Sequence, residues 1–347
     1  MAKLKVSILG ATGMIGQHFI HHLENHPWFV IEAVAASDRS VGTRYGDAMR
    51  TAHIERVPKE IAELKVCPID PKAVGDVDVA FSALPAEVAG KIEEDFAKAG
   101  ITVISTARSH RMDSDVPILI PEINADHISL IDEQHRRRGW DGAIVTEPNC
   151  TAAALVMPLK PIHEGFGIES VIVSSMQAVS GAGYPGVASL DIIDNVLPFI
   201  KDEEEKVEAE TLKILGAAKR PAEFKVSASC HRVPVLDGHT EAVFVGTKKA
   251  VEVDEVVTVM NEFRGEPQEL KLPSAPEQPI VVRSESDRPQ PRLDRMTGKG
   301  MSVVVGRVRK DPVLNGIKFI VVGHNTIRGG AGNSVLSAEL LKVKGYL

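Results

Sequence analysis

A cysteine attacks a carbonyl or acyl carbon only as its thiolate, and a free thiol with a pKa of ~8.5 is mostly protonated at neutral pH. A reactive cysteine therefore needs surroundings that favour its anion, and the 347-residue chain offers three candidates, Cys67, Cys150 and Cys230. Cys150 follows Glu147-Pro148-Asn149 and precedes Thr151, just beyond the apolar run 143–145. That order predicts a strand end at which a helix begins and offers its N–H groups to a sulfur anion. The alanines at 152–154 fit a structural cysteine in a core equally well. A proton partner is the second requirement. Among the 12 histidines, His239 stands out, because the stretch from Arg232 to Glu241 brings an arginine, the turn glycine Gly238 and an imidazole close together. An imidazole with an unperturbed pKa of ~6.5 can take and return a thiol proton. Cys230 and His231 adjoin, but successive side chains on a strand point to opposite faces, so a shared ion is not expected. Three scattered cysteines suit neither a disulfide scaffold nor a four-ligand metal site, and no metal is predicted.

The elements that must position these groups read as two domains. An apolar run ending in Gly10 is followed by an amphipathic stretch from Met14 to about Leu23, and a second apolar run covers 30–36. This is a βαβ unit of the length a parallel crossover needs. Strand-like runs at 77–82 and 101–105, with a helical segment at 87–99 between them, continue the alternation. They predict an α/β, Rossmann-type doubly wound parallel sheet. Its first turn, Gly10-Ala11-Thr12-Gly13-Met14-Ile15-Gly16, is a GxxGxxG variant of the dinucleotide fingerprint. Glycine there lets the backbone approach a pyrophosphate, and the helix N-terminus supplies unpaired N–H groups. After the second strand comes Ser37-Asp38-Arg39-Ser40. Arg39 between two hydroxyls suits the 2′-phosphate of NADP and Asp38 suits the ribose of NAD, so the local residues leave both open.

Beyond Pro148, runs at 170–176, 241–245, 302–308 and 319–322 predict a second, α+β domain with a largely antiparallel sheet. The proline-bearing segment 267–291 shows little periodicity and is expected to lie over the surface as an extended arm. Gly329-Gly330-Ala331-Gly332 leads into a helix-like stretch at 334–343 that could fold back on the first domain. The expected division is 1–149 with 325–347 for the dinucleotide and 150–324 for catalysis and oligomerisation.

Composition removes other classes. A net charge of −7 and a hydrophobic share of 44% describe a globular protein without the clustered positive field that nucleic acid demands. The basic run Arg136-Arg137-Arg138 reads as a solvated helix face. No apolar stretch approaches the ~20 residues of a membrane span, and the N-terminus opens into a strand-like run without the features of a signal peptide, so a cytoplasmic protein is expected.

Several blocks in order carry a more specific signal. They include the glycine turn, Ser-Ala-Leu-Pro at 82–85, His-Arg-Met-Asp at 110–113, Ile-Pro-Glu-Ile-Asn at 120–124 and Pro-Asn-Cys-Thr at 148–151. Gln177 with Ser-Gly-Ala-Gly at 180–183, Glu-Glu-Glu-Lys at 203–206, Arg-Val-Pro-Val at 232–235 with Gly-His-Thr-Glu at 238–241, and His-Asn-Thr-Ile-Arg-Gly at 324–329 complete the set. On these blocks the chain resembles the aspartate-semialdehyde dehydrogenases of the archaeal and fungal branch. The resemblance implies NADPH-dependent reduction of L-aspartyl 4-phosphate through a cysteine thioester, in lysine, threonine and methionine biosynthesis. It makes Cys150 the nucleophile, His239 the acid–base, Asn149 an oxyanion donor and Gln177 the group orienting the acyl carbon. Arg232 would grip the α-carboxylate, Glu203 the ammonium, and Lys206 with Arg111 the phosphate. For NADP it adds Ser37, Arg39 and Ser40 at the 2′-phosphate, Ser82 and Leu84 along the adenosine and ribose path, Ser180, Gly181 and Gly183 near the phosphates, and Asn325 at the nicotinamide. Many relatives have Ser-Asn-Ala where this chain has Ser105-Thr106-Ala107. A homodimer or homotetramer is implied as well. The alternative is an NADP-dependent malonyl-CoA reductase, which shares the cysteine, thioester and hydride steps; Glu203 and Lys206 suit an amino-acid phosphate better.

Overall fold

The computed structural model describes residues 2–49, 51, 53 and 56–347. Short aliphatic and β-branched runs build a five-stranded sheet from β1 (Leu4–Leu9), β2 (Phe29–Ala35), β3 (Val79–Ser82), β4 (Thr102–Ser105) and β5 (Ile144–Thr146). All its pairings are parallel, in the order β2-β1-β3-β4-β5. β3, β4 and β5 are buried along their whole length, as a sheet covered on both faces requires. The chain leaves β1 for β2 on one side and then crosses to β3 on the other. That reversal opens a crevice beyond the carboxyl ends of β1 and β3. Helix Met14–Leu23 and the last helix, Gly332–Val343, share one apolar core with this sheet.

The second sheet holds β6 (Ile168–Gln177), β7 (Lys225–Arg232), β8 (His239–Thr247), β9 (Ile280–Arg283), β10 (Val303–Asp311) and β11 (Gly316–Gly323), in the order β7-β6-β8-β11-β10-β9. Its central pairings are antiparallel, but β7 runs parallel to β6 and β9 parallel to β10. The sheet is therefore mixed, because each edge strand is reached through a long connection, and a crossover of that kind brings neighbours in parallel. Helix Glu203–Leu215 is the crossover between β6 and β7. Helix Cys150–Phe166 packs on this sheet, its residues from Thr151 to Leu159 all buried.

Two expectations need correction. Segment 267–291 is no free arm: it contains β9, paired to β10, while Leu272 packs into the core of the first sheet and Ser274 hydrogen-bonds Glu339 of the last helix. Burial of Ile280 and Leu272 fixes it between the domains. The basic run is not uniformly solvated either. Arg138 forks onto Asp115 with two 2.6 Å bonds and lies 5.0 Å from the Trp140 ring. No helix among the described residues is long and apolar enough to cross a membrane.

Candidate active site

Cys150 is the first residue of its helix, and Asn149 caps it, its side-chain oxygen accepting from the N–H groups of Thr151 and Ala152. Pro148 before the cap cannot continue a helix backwards, so the strand-to-helix turn is sharp and lifts the sulfur into a cavity of ≈ 370 Å³. Gly329 lies beneath. A Cβ there would come within 2.7 Å of the Cys150 backbone, so only glycine admits the helix start. The segment carrying Gly329 is held in place by the buried Arg328, which forks onto Glu122 at 2.6 and 2.9 Å and donates to the Met301 carbonyl.

The partner comes from the second sheet. His239 begins β8, and its Nε2 lies 3.1 Å from the Cys150 sulfur. Its Nδ1 accepts the Ala178 N–H at 3.1 Å. A backbone N–H is always a donor, so the neutral ring carries its proton on Nε2, facing the sulfur. The Ala178 carbonyl also accepts from Arg232 Nη1 at 2.8 Å, so the backbone of one residue pins both the imidazole and the guanidinium. Gly181 closes the arrangement, since a Cβ there would meet Arg232 Nη1 at 2.7 Å and His239 Cε1 at 3.1 Å.

Burial of the site opposes ionisation at rest. Desolvation, with the Glu203 carboxylate second, pushes the Cys150 thiol up to about 12, against the pull of Arg232 and Arg111. Desolvation, then Arg232 and His324, pulls His239 down to about 3. Two expectations change accordingly. The helix N–H groups do not by themselves make a resting thiolate, because burial outweighs them. The tautomer that Ala178 imposes makes Nε2 of His239 a donor to sulfur; it is not a free base for the thiol proton.

The other expected site residues divide into those that face the cavity and those behind it. Glu203, Lys206, Arg111, Asn149, Ser180, Gly181, Gly183 and Asn325 line it. Asn149 donates from Nδ2 to Glu203 at 2.8 Å, and Lys206 reaches the other Glu203 oxygen at 3.4 Å. The Asn149 amide is thus engaged by cap and carboxylate. Asn325 bridges Gly238 N–H and Ser180 Oγ, both at 2.8 Å, which ties the loop before His239 to the turn after β6. Gln177 is buried in register with Arg232, its Nε2 donating to Ser175 Oγ. Thr106, the departure from the family pattern, donates to the Ser82 carbonyl and gives its own carbonyl to Arg111 Nη2.

Two supporting residues have no sequence signal. Glu210 is buried and holds Arg111 Nη1 at 2.9 Å with one oxygen and the Asn149 N–H with the other. Lys213, one turn on, donates to the carbonyls of Arg111, Asp113 and Val116 and straps the Arg111 loop to the helix. On a helix rich in Glu and Lys they look like ordinary surface charges.

A cleft of ≈ 650 Å³ leads from the glycine turn to this cavity, and Met14, Ile15, Leu84, Thr106 and Gly183 line both. Gly10 has φ +78, and its Cβ would strike the Ala83 carbonyl at 2.7 Å. A Cβ on Gly16 would come within 2.4 Å of the Gly10 oxygen. The helix that follows has no acidic residue in its first turn, as anion binding at its N-terminus requires. Thr12 and Gly13 line the near end of the cleft, and Ser37, Arg39 and Ser40 another part; Asp38 does not line it. That favours a 2′-phosphate over a bare ribose. Ser82 is corrected: its hydroxyl donates to the buried Glu93 carboxylate, which also receives Ser105, so it braces β3 against β4 behind the cleft.

Comparison with known proteins followed the same division. Residues 5–131 match the semialdehyde dehydrogenase NAD binding domain, and 159–328 match the semialdehyde dehydrogenase dimerisation domain. An aspartate-semialdehyde dehydrogenase of Methanothermobacter thermautotrophicus is 53% identical across 97% of this chain and 99% of its own. A malonyl CoA reductase (NADP) of Metallosphaera sedula is 46% identical, covering 99% of this chain and 98% of its own. The crystal structure of aspartate semialdehyde dehydrogenase with NADP from Candida albicans superposes with a TM-score of 0.92 at 41% identity, over 100% of both chains.

Proposed function

This chain belongs to the semialdehyde dehydrogenase family, on its aspartate-semialdehyde branch, and from that premise we propose how its residues divide the work. The reaction is the NADPH-dependent reductive dephosphorylation of L-aspartyl 4-phosphate to L-aspartate 4-semialdehyde, a step toward lysine, threonine and methionine. The observation that carries the assignment of roles is the 3.1 Å approach of the Cys150 sulfur to His239 Nε2, in a cavity continuous with the glycine-turn cleft.

Glu203 receives the substrate ammonium and Arg232 the α-carboxylate, where a planar fork outperforms a point charge. Arg111 and Lys206 face the phosphate. Pairing Glu203 with an ammonium removes the charge that most opposes the thiolate after desolvation, so binding itself prepares the nucleophile. Sulfur then bonds the acyl carbon, the carbon–oxygen bond to phosphate breaks, and the thiol proton leaves on the phosphate oxygen. The Nε2–H of His239 stabilises charge on sulfur both when it attacks and when it later departs. The Cys150 N–H at the helix start meets the developing oxyanion, and Gln177 holds the acyl group from the sheet side. NADP(H), when bound, supplies or accepts the hydride. Gly10, Thr12, Gly13, Met14, Ile15 and Gly16 would form its pyrophosphate turn, with Ser37, Arg39 and Ser40 at the 2′-phosphate. Leu84 would lie along its path, Ser180, Gly181 and Gly183 would hold the middle, and Asn325 would meet the nicotinamide end.

We assign residues 1–149 with 325–347 to the cofactor and 150–324 to catalysis and assembly. A homodimer is the assembly proposed, through the second sheet, whose outer face carries Ile172 in register with Phe244. A cytoplasmic location fits a chemistry that needs a reduced thiol. The test is direct: purified protein should reduce NADP with aspartate semialdehyde only when phosphate is present. Turnover of malonyl-CoA with none of aspartate semialdehyde would reject the reading.

A further inference from the structure

A phosphate dianion entering the cavity must find positive charge that nothing else there consumes. Arg108, Arg111 and Lys206 are cations lining the cavity of Cys150. Arg111 is paired at 2.9 Å with Glu210, both side chains buried, and separating a buried pair leaves an uncompensated charge. Lys206 lies 3.4 Å from Glu203, which faces the same cavity and offsets it. Arg108 differs. The one polar contact of its side chain among the described residues is a 2.6 Å bond to Asp202, which does not line the cavity, and the two side chains are 49% and 43% exposed. An exposed ion pair is a weak restraint, and water can solvate Asp202 once Arg108 leaves it.

The placement adds a second argument. Arg108 follows β4 in the first domain, while Asp202 immediately precedes helix Glu203–Leu215 in the second, so the pair spans the two domains at the cavity opening. A guanidinium there can turn inward without disturbing any buried contact.

We propose that Arg108 is a third phosphate-binding cation, one that Asp202 holds aside until phosphate enters, so that Asp202 sets the affinity for phosphate. This rests on the phosphate-using reaction assigned above. Exchange of partners keeps the charge balance: one arginine–carboxylate bond breaks and one or two charge-assisted bonds to phosphate oxygens form.

The experiment is phosphate-dependent reduction of NADP by aspartate semialdehyde, with phosphate varied at saturating levels of the other two. Arg108→Gln should raise KM for phosphate about tenfold, the loss of one charge-assisted contact, with KM for aspartate semialdehyde little changed. Arg108→Lys should recover part of the loss. Asp202→Asn removes the same ion pair from the other side and should lower KM for phosphate. It shares any purely structural damage, so a rise in KM with both Arg108→Gln and Asp202→Asn would overturn the proposal, as would an unchanged KM in Arg108→Gln. A parent enzyme with no phosphate dependence would overturn the assigned reaction as well.

Discussion

Cys150 and Glu241 show how burial sets chemistry one residue at a time. With the thiol pushed up to about 12, the ligand-free protein should react slowly with iodoacetamide at neutral pH, and faster as pH rises. Because Glu203 opposes the thiolate, Glu203→Gln should speed alkylation of Cys150 several-fold at fixed pH. Peptide mass spectrometry reads this, with exposure-matched labelling of Cys67 as the internal reference; a slower or equal rate in the variant would show that Glu203 does not act on the sulfur. Glu241 poses a different case. It lies inside the second sheet two residues from His239, neither carboxyl oxygen has a hydrogen-bond partner among the described residues, and desolvation raises its pKa well above 4.5. The fold therefore keeps the proton that the unfolded chain releases above 4.5, and stability contributed by this group is lost as pH rises from there toward the folded value. Glu241→Gln carries no such proton. Its melting temperature should match the parent near pH 4.5 and exceed it increasingly toward pH 8, and a gap that stays constant with pH would refute the protonated carboxyl.

The strand–turn–helix that cradles the cofactor and the one that raises Cys150 use glycine for different reasons. Gly16 sits where the helix Met14–Leu23 touches its own turn: a Cβ on it would lie 2.4 Å from the Gly10 oxygen, whereas a Cβ on Gly13 would lie 3.3 Å from that oxygen. Gly16→Ala should then cost about 1–3 kcal/mol in denaturant unfolding, the usual range for overpacking, while Gly13→Ala should spare stability more and act chiefly on KM for NADPH. Equal stability losses would dissolve the distinction. These turns were legible because their physics is local: a glycine pattern between a strand and a helix, or an Asn-Cys after a proline, needs no distant partner to be read. β7 was not. Its Lys-Val-Ser-Ala-Ser-Cys-His-Arg run is polar and small, and it becomes a strand because Cys230 and Arg232 bury against helix Glu203–Leu215 and β6. The same blindness covers Ala178, whose backbone acts on His239 and Arg232 whatever its side chain, and Glu210, whose role exists only once helix Glu203–Leu215 docks against the Cys150 turn.

At the scale of the molecule, the reactive cavity is made by neither domain alone. Met14 and Ile15 come from the start of helix Met14–Leu23 and Thr106 from the loop after β4, Ser180 and Glu203 from the second domain, and Arg328 with Glu122 fastens the returning C-terminal segment beneath Cys150. Sulfur and imidazole both belong to the second domain and face Met14 and Ile15 of the first across the cavity, so what holds the second domain rigid bears on activity. Its sheet has one face covered by helices, while on the other Ile172 is 46% exposed beside Phe244 on the neighbouring strand. Phe199 and Leu190 are also exposed, at 72% and 91%. An apolar face on an interior strand is unusual unless something covers it, and a self-complementary patch on a two-fold axis is the common solution. A second copy of the chain is the predicted cover. Ile172→Asp would place two carboxylates at such an interface and nothing in the monomer's core. Light scattering after size exclusion should report a dimer for the parent and a monomer for the variant, with the same circular dichroism. If the exposed face contributes rigidity to the site, activity per chain should fall with the dimer and return in part at high protein concentration. A parent that is monomeric at tens of micromolar, or a variant that stays dimeric, would place the contact elsewhere.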